Sequence, residues 1–594
     1  MHTVICMACG KLNFNYERDS AVAESLFFRR NRKEGIMYNL LIGGAAGQGV
    51  DTTVAILEKL LKRSGYHVFT AKDFMSRVRG GHNFYLIRFG IEPIYSHSNQ
   101  IDGIVALDES TVQIHKEQLK ENGFILCDQN IAKDVDTRFI VVHMNEMAKT
   151  LGNPRVSGSI AIGAVLKLFG ESIENAGTVF ASFVKQQFLD INLKAAEEGY
   201  RSVETRFIHL NGTAADQMLI SGSGAVALGA IAAGLRFYSA YPMSPSTVVM
   251  ETIAQHADGA GIVVEQAEDE IAAINMAIGA FYAGARAMTG TSGGGFSLMV
   301  EALGFSGMAE IPLVVIDVQR PGPATGLPTK TEQSDLKFVI SASQGEFPRM
   351  VIALRNPSDA FYQTMRAFNM AEKYQIPVIL LSDQYLGDAT YTAKPFDPEK
   401  IQMLVPESEY TGEGEYLRYK YMEQGISPRL IPGKTEQLVS SDSDEHDEHG
   451  RIAESAEVRI RMMEKRMKKL ESLQQELQEP EFMGDSSFET LLIGWGSVWG
   501  AMEEAVRLLN QDKTVGTYAA IVFGDIYPLP TKLLREKAAQ ATSIIDVEQN
   551  ATGQLAALIR EETGILCDGK ILRYDGRQIS GEEIAEQVRK GEIR

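Results

Sequence analysis

Three times along the chain an apolar run ends in closely spaced glycines and passes into a helix-like pattern: LLIGGAAGQGV from Leu40, LISGSGAVALG from Leu219 and LLIGWGSVWG from Leu491. Each reads as a strand, a tight turn and a helix start, because glycine permits positive φ and close backbone approach at such a joint. As a nucleotide fingerprint the pattern is weak, since the turn alone explains the glycines. As a domain marker its recurrence is informative: each copy opens a parallel α/β layer. Further β-prone runs, Phe139-Ile140-Val141-Val142, Val314-Val315-Ile316, Val378-Ile379-Leu380-Leu381 and Ile544-Ile545-Asp546-Val547, are separated by helical patterns. The expected fold class is therefore α/β with three α/β domains, at 37–205, 214–400 and 486–594. The 594-residue length agrees, because single hydrophobic cores stop growing near about 250 to 300 residues.

Residues 401–485 differ in character and form a connecting segment. It contains Ser440-Ser441-Asp442-Ser443-Asp444-Glu445-His446-Asp447-Glu448-His449, then a highly charged stretch from Arg459 to Glu476. Alternating acids and bases there predict a helix with an exposed, ion-paired face that packs across domains. His446 and His449 read as part of a solvated acidic turn that starts this helix, rather than a metal site, because nothing fixes ligand geometry. The first 36 residues lack clear periodicity and carry the basic run Phe28-Arg29-Arg30-Asn31-Arg32-Lys33. Met37 reads as the natural start, with 1–36 a poorly ordered extension or a misassigned start. Cys6 and Cys9 form a CxxC, but a zinc or iron–sulfur site needs about four ligands and no second pair accompanies it. A net charge of −19 argues against a general nucleic-acid surface. No run approaches the roughly 18 to 20 apolar residues that span a bilayer, so a cytoplasmic protein is the default.

Chemistry concentrates in the second domain. AYPMSPSTVVME, from Ala240, follows a strand-like run and leads into a helix. Ser244 reads as its N-cap and Pro245 as its first helical residue, and the free N–H groups of such a helix start favour an anion. Next come Glu265-Gln266-Ala267-Glu268-Asp269-Glu270 and a helix with Ala272, Ala273, Ala277, Gly279, Ala280, Ala283 and Gly284, small residues that let another backbone approach. Thr289-Gly290-Thr291-Ser292-Gly293-Gly294-Gly295-Phe296 and Asp317-Val318-Gln319-Arg320-Pro321-Gly322-Pro323-Ala324-Thr325-Gly326-Leu327-Pro328-Thr329 follow. Glycine and hydroxyl residues thus gather at successive strand ends, where open α/β sheets bind ligands.

YPMSPST, EDEIAA, TSGGGFSLMVEALG and IDVQRPGPATGLPT, in this order, closely resemble the alpha subunit of 2-oxoacid:ferredoxin oxidoreductases. GGAAGQGV and Ser76-Arg77-Val78-Arg79-Gly80-Gly81-His82-Asn83 look like that family's gamma domain fused ahead of alpha. YMEQGISPR, DEHDEHG and VEQNATGQ extend the likeness over nearly everything after Met37. The resemblance implies a gamma-like domain, a thiamine-diphosphate pyrimidine-binding domain and a transketolase C-terminal-like domain. The implied activity is oxidative decarboxylation of a 2-oxoacid to an acyl-CoA with electrons passed to ferredoxin, or the reverse. 2-Oxoglutarate is the first choice of substrate, ahead of pyruvate and branched-chain acids.

By the same resemblance Glu270 hydrogen-bonds the aminopyrimidine ring of thiamine diphosphate, with Thr291 and Ser292 on the cofactor side, while Glu268 and Asp269 support it or are solvated. Arg320 holds the 2-oxoacid carboxylate, for which a guanidinium is suited; a surface ion pair is the bland alternative. Tyr241, Ser244, Thr247 and Thr325 complete the substrate side. The family usually has threonine at the position of Ser244, and TSGPG where this chain has TSGGG, which bears on substrate range. Arg77, Arg79, Gly80 and Gly81 could meet coenzyme A phosphates, although a basic turn at a subunit contact would look identical. No GDG for a diphosphate-bound magnesium occurs in the chain, and its cysteines are too few and scattered for a 4Fe-4S cluster. The resemblance puts both on a separate beta subunit and implies an alpha2beta2 assembly. A non-redox transketolase-like thiamine enzyme subunit and a non-catalytic nucleotide-binding assembly subunit are the rival readings.

Overall fold

The computed structural model describes residues 37–75, 81–132, 136–404, 414–511 and 516–593. The Cys6–Cys9 pair and the basic run before Met37 lie outside the described residues. Three sheets organise the chain. The first has eight strands in the order Phe139–Val141, Leu119–Cys127, Ile101–Ala106, Met37–Ala45, His82–Gly90, His67–Asp73, Thr390–Ala393 and Met218–Ser221. The second orders Asp525–Tyr527, Met350–Ala353, Pro377–Asp383, Leu313–Gln319, Ala287–Thr291, Phe237–Ala240 and Val263–Gln266, and all but the first of these run parallel. The third orders Glu481–Gly484, Tyr518–Phe523, Thr490–Trp495, Ser543–Glu548 and Gly569–Leu572.

Central strands such as LVVIDVQ of Leu313–Gln319 and PVILLSD of Pro377–Asp383 are buried at every position. Helices cover both faces of a parallel sheet, so its inner strands read as continuous rather than alternating apolar runs. The β-prone runs read from the sequence at 314, 378 and 544 lie within strands, and the run at 139 does so as far as Val141.

The Leu219 repeat corrects one expectation. Its strand, Met218–Ser221, does not open the second parallel sheet but pairs antiparallel with Thr390–Ala393 at the edge of the first. The helix it leads into, Gly222–Ala232, is capped by Ser221 Oγ accepting from Gly224 N. That helix packs so closely on Pro357–Tyr374 that a Cβ at Gly229 would collide with the Phe361 carbonyl. Helix packing therefore holds this unit to the second domain while its strand completes the first sheet. The third domain lends Asp525–Tyr527 to the second sheet.

For the connecting segment one expectation holds on one helix face only and another is overturned. The charged helix, Ala456–Leu473, is not solvated all round: Lys465, Arg466 and Lys469 are buried. Lys465 and Lys469 each lie 2.5 Å from a different carboxylate oxygen of buried Glu310, and Arg466 bonds both oxygens of Glu445. His446 is fully buried with its ring 3.9 Å from that of Tyr419, and the helix is started instead by Ser455, which accepts from Val458 N. The acidic run tucks inward because Glu445 finds Arg459 and Arg466.

Candidate active site at the strand ends of the second sheet

Four loops meet at the carboxyl edge of the parallel strands Phe237–Ala240, Val263–Gln266, Ala287–Thr291 and Leu313–Gln319. The loop after Val263–Gln266 delivers Glu270. Asp269 is the N-cap, accepting from Ala272 N at 2.8 Å, which makes Glu270 the first residue of the helix Glu270–Tyr282. Glu268 and Asp269 are exposed, whereas Glu270 is only 3% exposed and its Oε1 is buried without a hydrogen-bond partner.

Opposite Glu270 begins the helix Gly293–Met308. A Cβ at Gly295 would collide with Thr291 Oγ1 and come within 2.5 Å of Glu270 Oε1, so this approach requires glycine. Thr291 and Ser292 are fully buried, the Thr291 hydroxyl facing Met243 Sδ at 3.9 Å and Ser292 Oγ having no partner. The thiamine-side set predicted from the sequence is thus brought together by the fold.

On the substrate side the N-cap reading of Ser244 is wrong. Residues 244–246 form a turn closed by Ser246 Oγ donating to Met243 O at 2.7 Å, and the helix Thr247–Ala260 starts with Ser246 before it, without a side-chain cap. The turn displaces the helix start two residues beyond Pro245. Ser244 is exposed, and its carbonyl accepts a 2.6 Å hydrogen bond from Arg320 Nη1. Burial lowers the Arg320 pKa from its ordinary value. Tyr241 is exposed at the mouth and Thr247 is half-buried. The loop beyond Arg320 is closed by Leu327 N donating to Pro321 O, and it lays the Ala324 carbonyl over Gly294. Thr325 is exposed on that loop.

Sequence reasoning missed two carboxyls behind this surface. Asp317 is fully buried at the centre of an apolar strand with neither oxygen hydrogen-bonded, and Asp335 has a buried, unpartnered Oδ2. A charged residue inside LVVIDVQ is the signal that could have found the first.

Of the coenzyme A candidates, Arg77, Arg79 and Gly80 lie outside the described residues, and Gly81 has φ 77° beside Met75. Close by, a cavity of about 560 Å³ opens where the three domains meet, lined among others by Lys72, His82, His115, Lys330, Arg573 and Arg577. The imidazole Nε2 atoms of His82 and His115 face each other at 2.8 Å. Lys330 pairs with Asp73 and Arg573 with Glu583, which partly balances the cationic wall. Cys127 and Cys567 are free, and burial pushes both thiols up to about 12. Among the described residues no helix is long and apolar enough to cross a membrane.

An open parallel sheet with a buried glutamate at its ligand edge defines a class of cofactor-binding α/β enzyme domain, and the comparisons make that class specific. Residues 228–465 match the family model of the pyruvate flavodoxin/ferredoxin oxidoreductase thiamine diphosphate-binding domain, and 39–202 that of pyruvate ferredoxin/flavodoxin oxidoreductase. The chain is 33% identical to the 2-oxoacid:ferredoxin oxidoreductase subunit alpha of Sulfolobus sp. over 92% of its own length and 96% of the relative's. It is 31% identical to the 2-oxoglutarate synthase subunit KorA of Methanothermobacter marburgensis, covering 61% of this chain and 96% of that one. A solved 2-oxoglutarate:ferredoxin oxidoreductase from Magnetococcus marinus, with 2-oxoglutarate, coenzyme A and succinyl-CoA bound, superimposes with a TM-score of 0.88 at 31% identity, over 94% of this chain and 100% of that one. The chain belongs to the alpha subunits of the 2-oxoacid:ferredoxin oxidoreductases. It is an oxidoreductase subunit with a thiamine diphosphate-binding domain, and it works with partner subunits.

Proposed function

We propose that this alpha subunit acts on 2-oxoglutarate, converting it with coenzyme A to the acyl-CoA and passing electrons to ferredoxin, or running the reverse carboxylation. The observation that carries the reading is the Glu270 carboxyl, buried at a helix start with an unpartnered Oε1 against Gly295. Such an atom fits a hydrogen-bonding ring set into the same pocket, which is what an aminopyrimidine offers. When bound, thiamine diphosphate supplies the nucleophilic carbon and electron sink that decarboxylation of a 2-oxoacid requires.

Glu270 Oε1 would hydrogen-bond the ring, and the Thr291 and Ser292 hydroxyls line the same wall. Arg320 binds the substrate carboxylate. One of its five donors is committed to the Ser244 carbonyl, which fixes the guanidinium plane. Tyr241, Ser244 and Thr247 line the same mouth, and Thr325 rides on the covering loop. The cationic cavity between the domains suits the phosphates of coenzyme A, with Gly81 at its edge.

In this reading a beta subunit would hold the diphosphate, its Mg²⁺ and a 4Fe-4S cluster, in an alpha2beta2 assembly in the cytoplasm. Exposed Ile271 (51%) and Met276 (40%) on the Glu270 helix, with Leu298 (51%) on its neighbour, support a partner docking over the site; larger apolar patches of this kind mark interfaces. The test is Glu270→Ala in the complex reconstituted with the beta chain. 2-Oxoacid-dependent ferredoxin reduction is expected to fall by about 10²-fold or more with assembly intact. Near-normal turnover would remove Glu270 from the mechanism.

A further inference from the structure

The glycine turn that faces Glu270 is itself backed by two acids. Asp317 stands beside Thr291 in the parallel register of the neighbouring strands. Asp335 occupies the space in front of Gly293, where a Cβ would run into its carboxylate. Its backbone N–H donates to Gln319 Oε1 at 3.1 Å, and Gln319 Nε2 donates to Ser382 O at 3.0 Å, so Asp335 is tied to two strands of the sheet. Both oxygens of Asp317, Oδ2 of Asp335 and Oγ of Ser292 are buried without partners. A buried ionised carboxylate without hydrogen bonds is costly, and two side by side are more so.

We propose that Asp317 and Asp335 form a positioning pair that holds the Gly293–Gly295 turn, and with it Thr291, against the Glu270 carboxyl. The proposal rests on the assignment of Glu270 to the cofactor. Its physical basis is the place of the two carboxyls, Asp335 against Gly293 and Asp317 beside Thr291, and the charge they carry there. Burial, with the charge of Asp335 added, holds Asp317 well above the usual carboxylate range, and burial raises Asp335 to about 6. Near neutral pH the pair therefore carries one negative charge, which sits favourably at the positive end of the helix Gly293–Met308.

Other charged groups around the pair do not neutralise it. Glu332, on the loop that carries Asp335, is itself pushed up to about 7. Asp383, at the end of the adjoining strand, is engaged by Thr331 Oγ1 and Leu386 N. Arg320, at the end of Asp317's own strand, is bonded to Ser244 O, and Glu270 faces the far side of the turn. Loss of the last proton at high pH would place two like charges under the turn and drive it off Glu270.

The test has a spectroscopic and a kinetic arm. In the chain without its partner, isotope-edited infrared spectroscopy with labelled aspartate is expected to show a protonated buried carboxyl at neutral pH, absent in Asp317→Asn. In the reconstituted complex, Asp317→Asn keeps kcat within about threefold at neutral pH, and the alkaline limb of its kcat profile moves to higher pH. Asp335→Asn lowers kcat by at least about tenfold with the 2-oxoacid KM changed less than about twofold. Absence of the infrared band overturns the proposal. So do variants that lose thermal stability while keeping wild-type kcat and pH profile, since that is a structural role only. An inactive Glu270→Ala beside unaffected aspartate variants sinks the pair alone; an active Glu270→Ala sinks the Glu270 assignment whatever the pair does.

Discussion

Arg320 is the residue proposed to bind the substrate carboxylate. Its guanidinium is half-buried, donates to the Ser244 carbonyl and so reads the backbone of the Tyr241–Ser246 loop rather than its side chains. Ser244 is exposed, and its carbonyl rather than its hydroxyl makes the contact. Arg320→Ala is expected to raise the 2-oxoacid KM and lower kcat/KM in steady-state assays of the complex. A change below about twofold, roughly 0.4 kcal/mol, would refute the carboxylate-binding role. Arg320→Lys should be nearly as damaging, because an ammonium cannot hold a carbonyl and a carboxylate in one planar fork.

At the scale of elements, the helix Ala456–Leu473 shows that a charge pattern reveals only one face. Its exposed, ion-paired side is legible in the sequence; its other side buries two lysines on one glutamate. One carboxylate balances one ammonium, and burial lowers the Lys469 pKa from 10.5 to about 7, although Glu310 opposes the shift. Between about pH 7 and 10.5 the unfolded chain therefore binds more protons at Lys469 than the native one, and stability rises with pH across that window. Urea unfolding at a series of pH values should show that rise, and Lys469→Met should flatten it. Glu310, by contrast, is held below its ordinary range: burial would raise it, but the two lysines and Arg418 outweigh burial, so its contribution is present above the unfolded carboxylate pKa and is lost in acid.

At the scale of the molecule, the three sheets are interlocked rather than strung in line. Besides the exchanged strands, Arg88 of the first domain makes a bidentate bond to Glu504 of the third, with Ser96 adding a hydroxyl; Arg88 and Glu504 are both buried. Glu504→Ala leaves Arg88 buried and uncompensated and is expected to destabilise the chain by about 3 to 5 kcal/mol, read as a lower denaturant midpoint. The exposed apolar face around Ile271 makes a different demand. Ile271→Asp should leave the isolated chain folded by circular dichroism and abolish its co-elution with the partner subunit; retained co-elution would place the interface elsewhere.

The α/β layering, the strand runs and the ordered set of loops that carry Glu270, Thr291 and Arg320 are all legible along the chain. Apolar periodicity and glycine at turns are local properties, and the motif order is linear. Packing in three dimensions sets the Leu219 strand in the first sheet, turns the lysines of the charged helix inward and makes a turn, rather than Ser244, the start of the Thr247 helix. It alone placed Asp317 and Asp335 behind the glycine turn. The physical reason is common to all four: each depends on what a side chain or strand edge meets across space, and a buried charge is recognisable only once its surroundings are known.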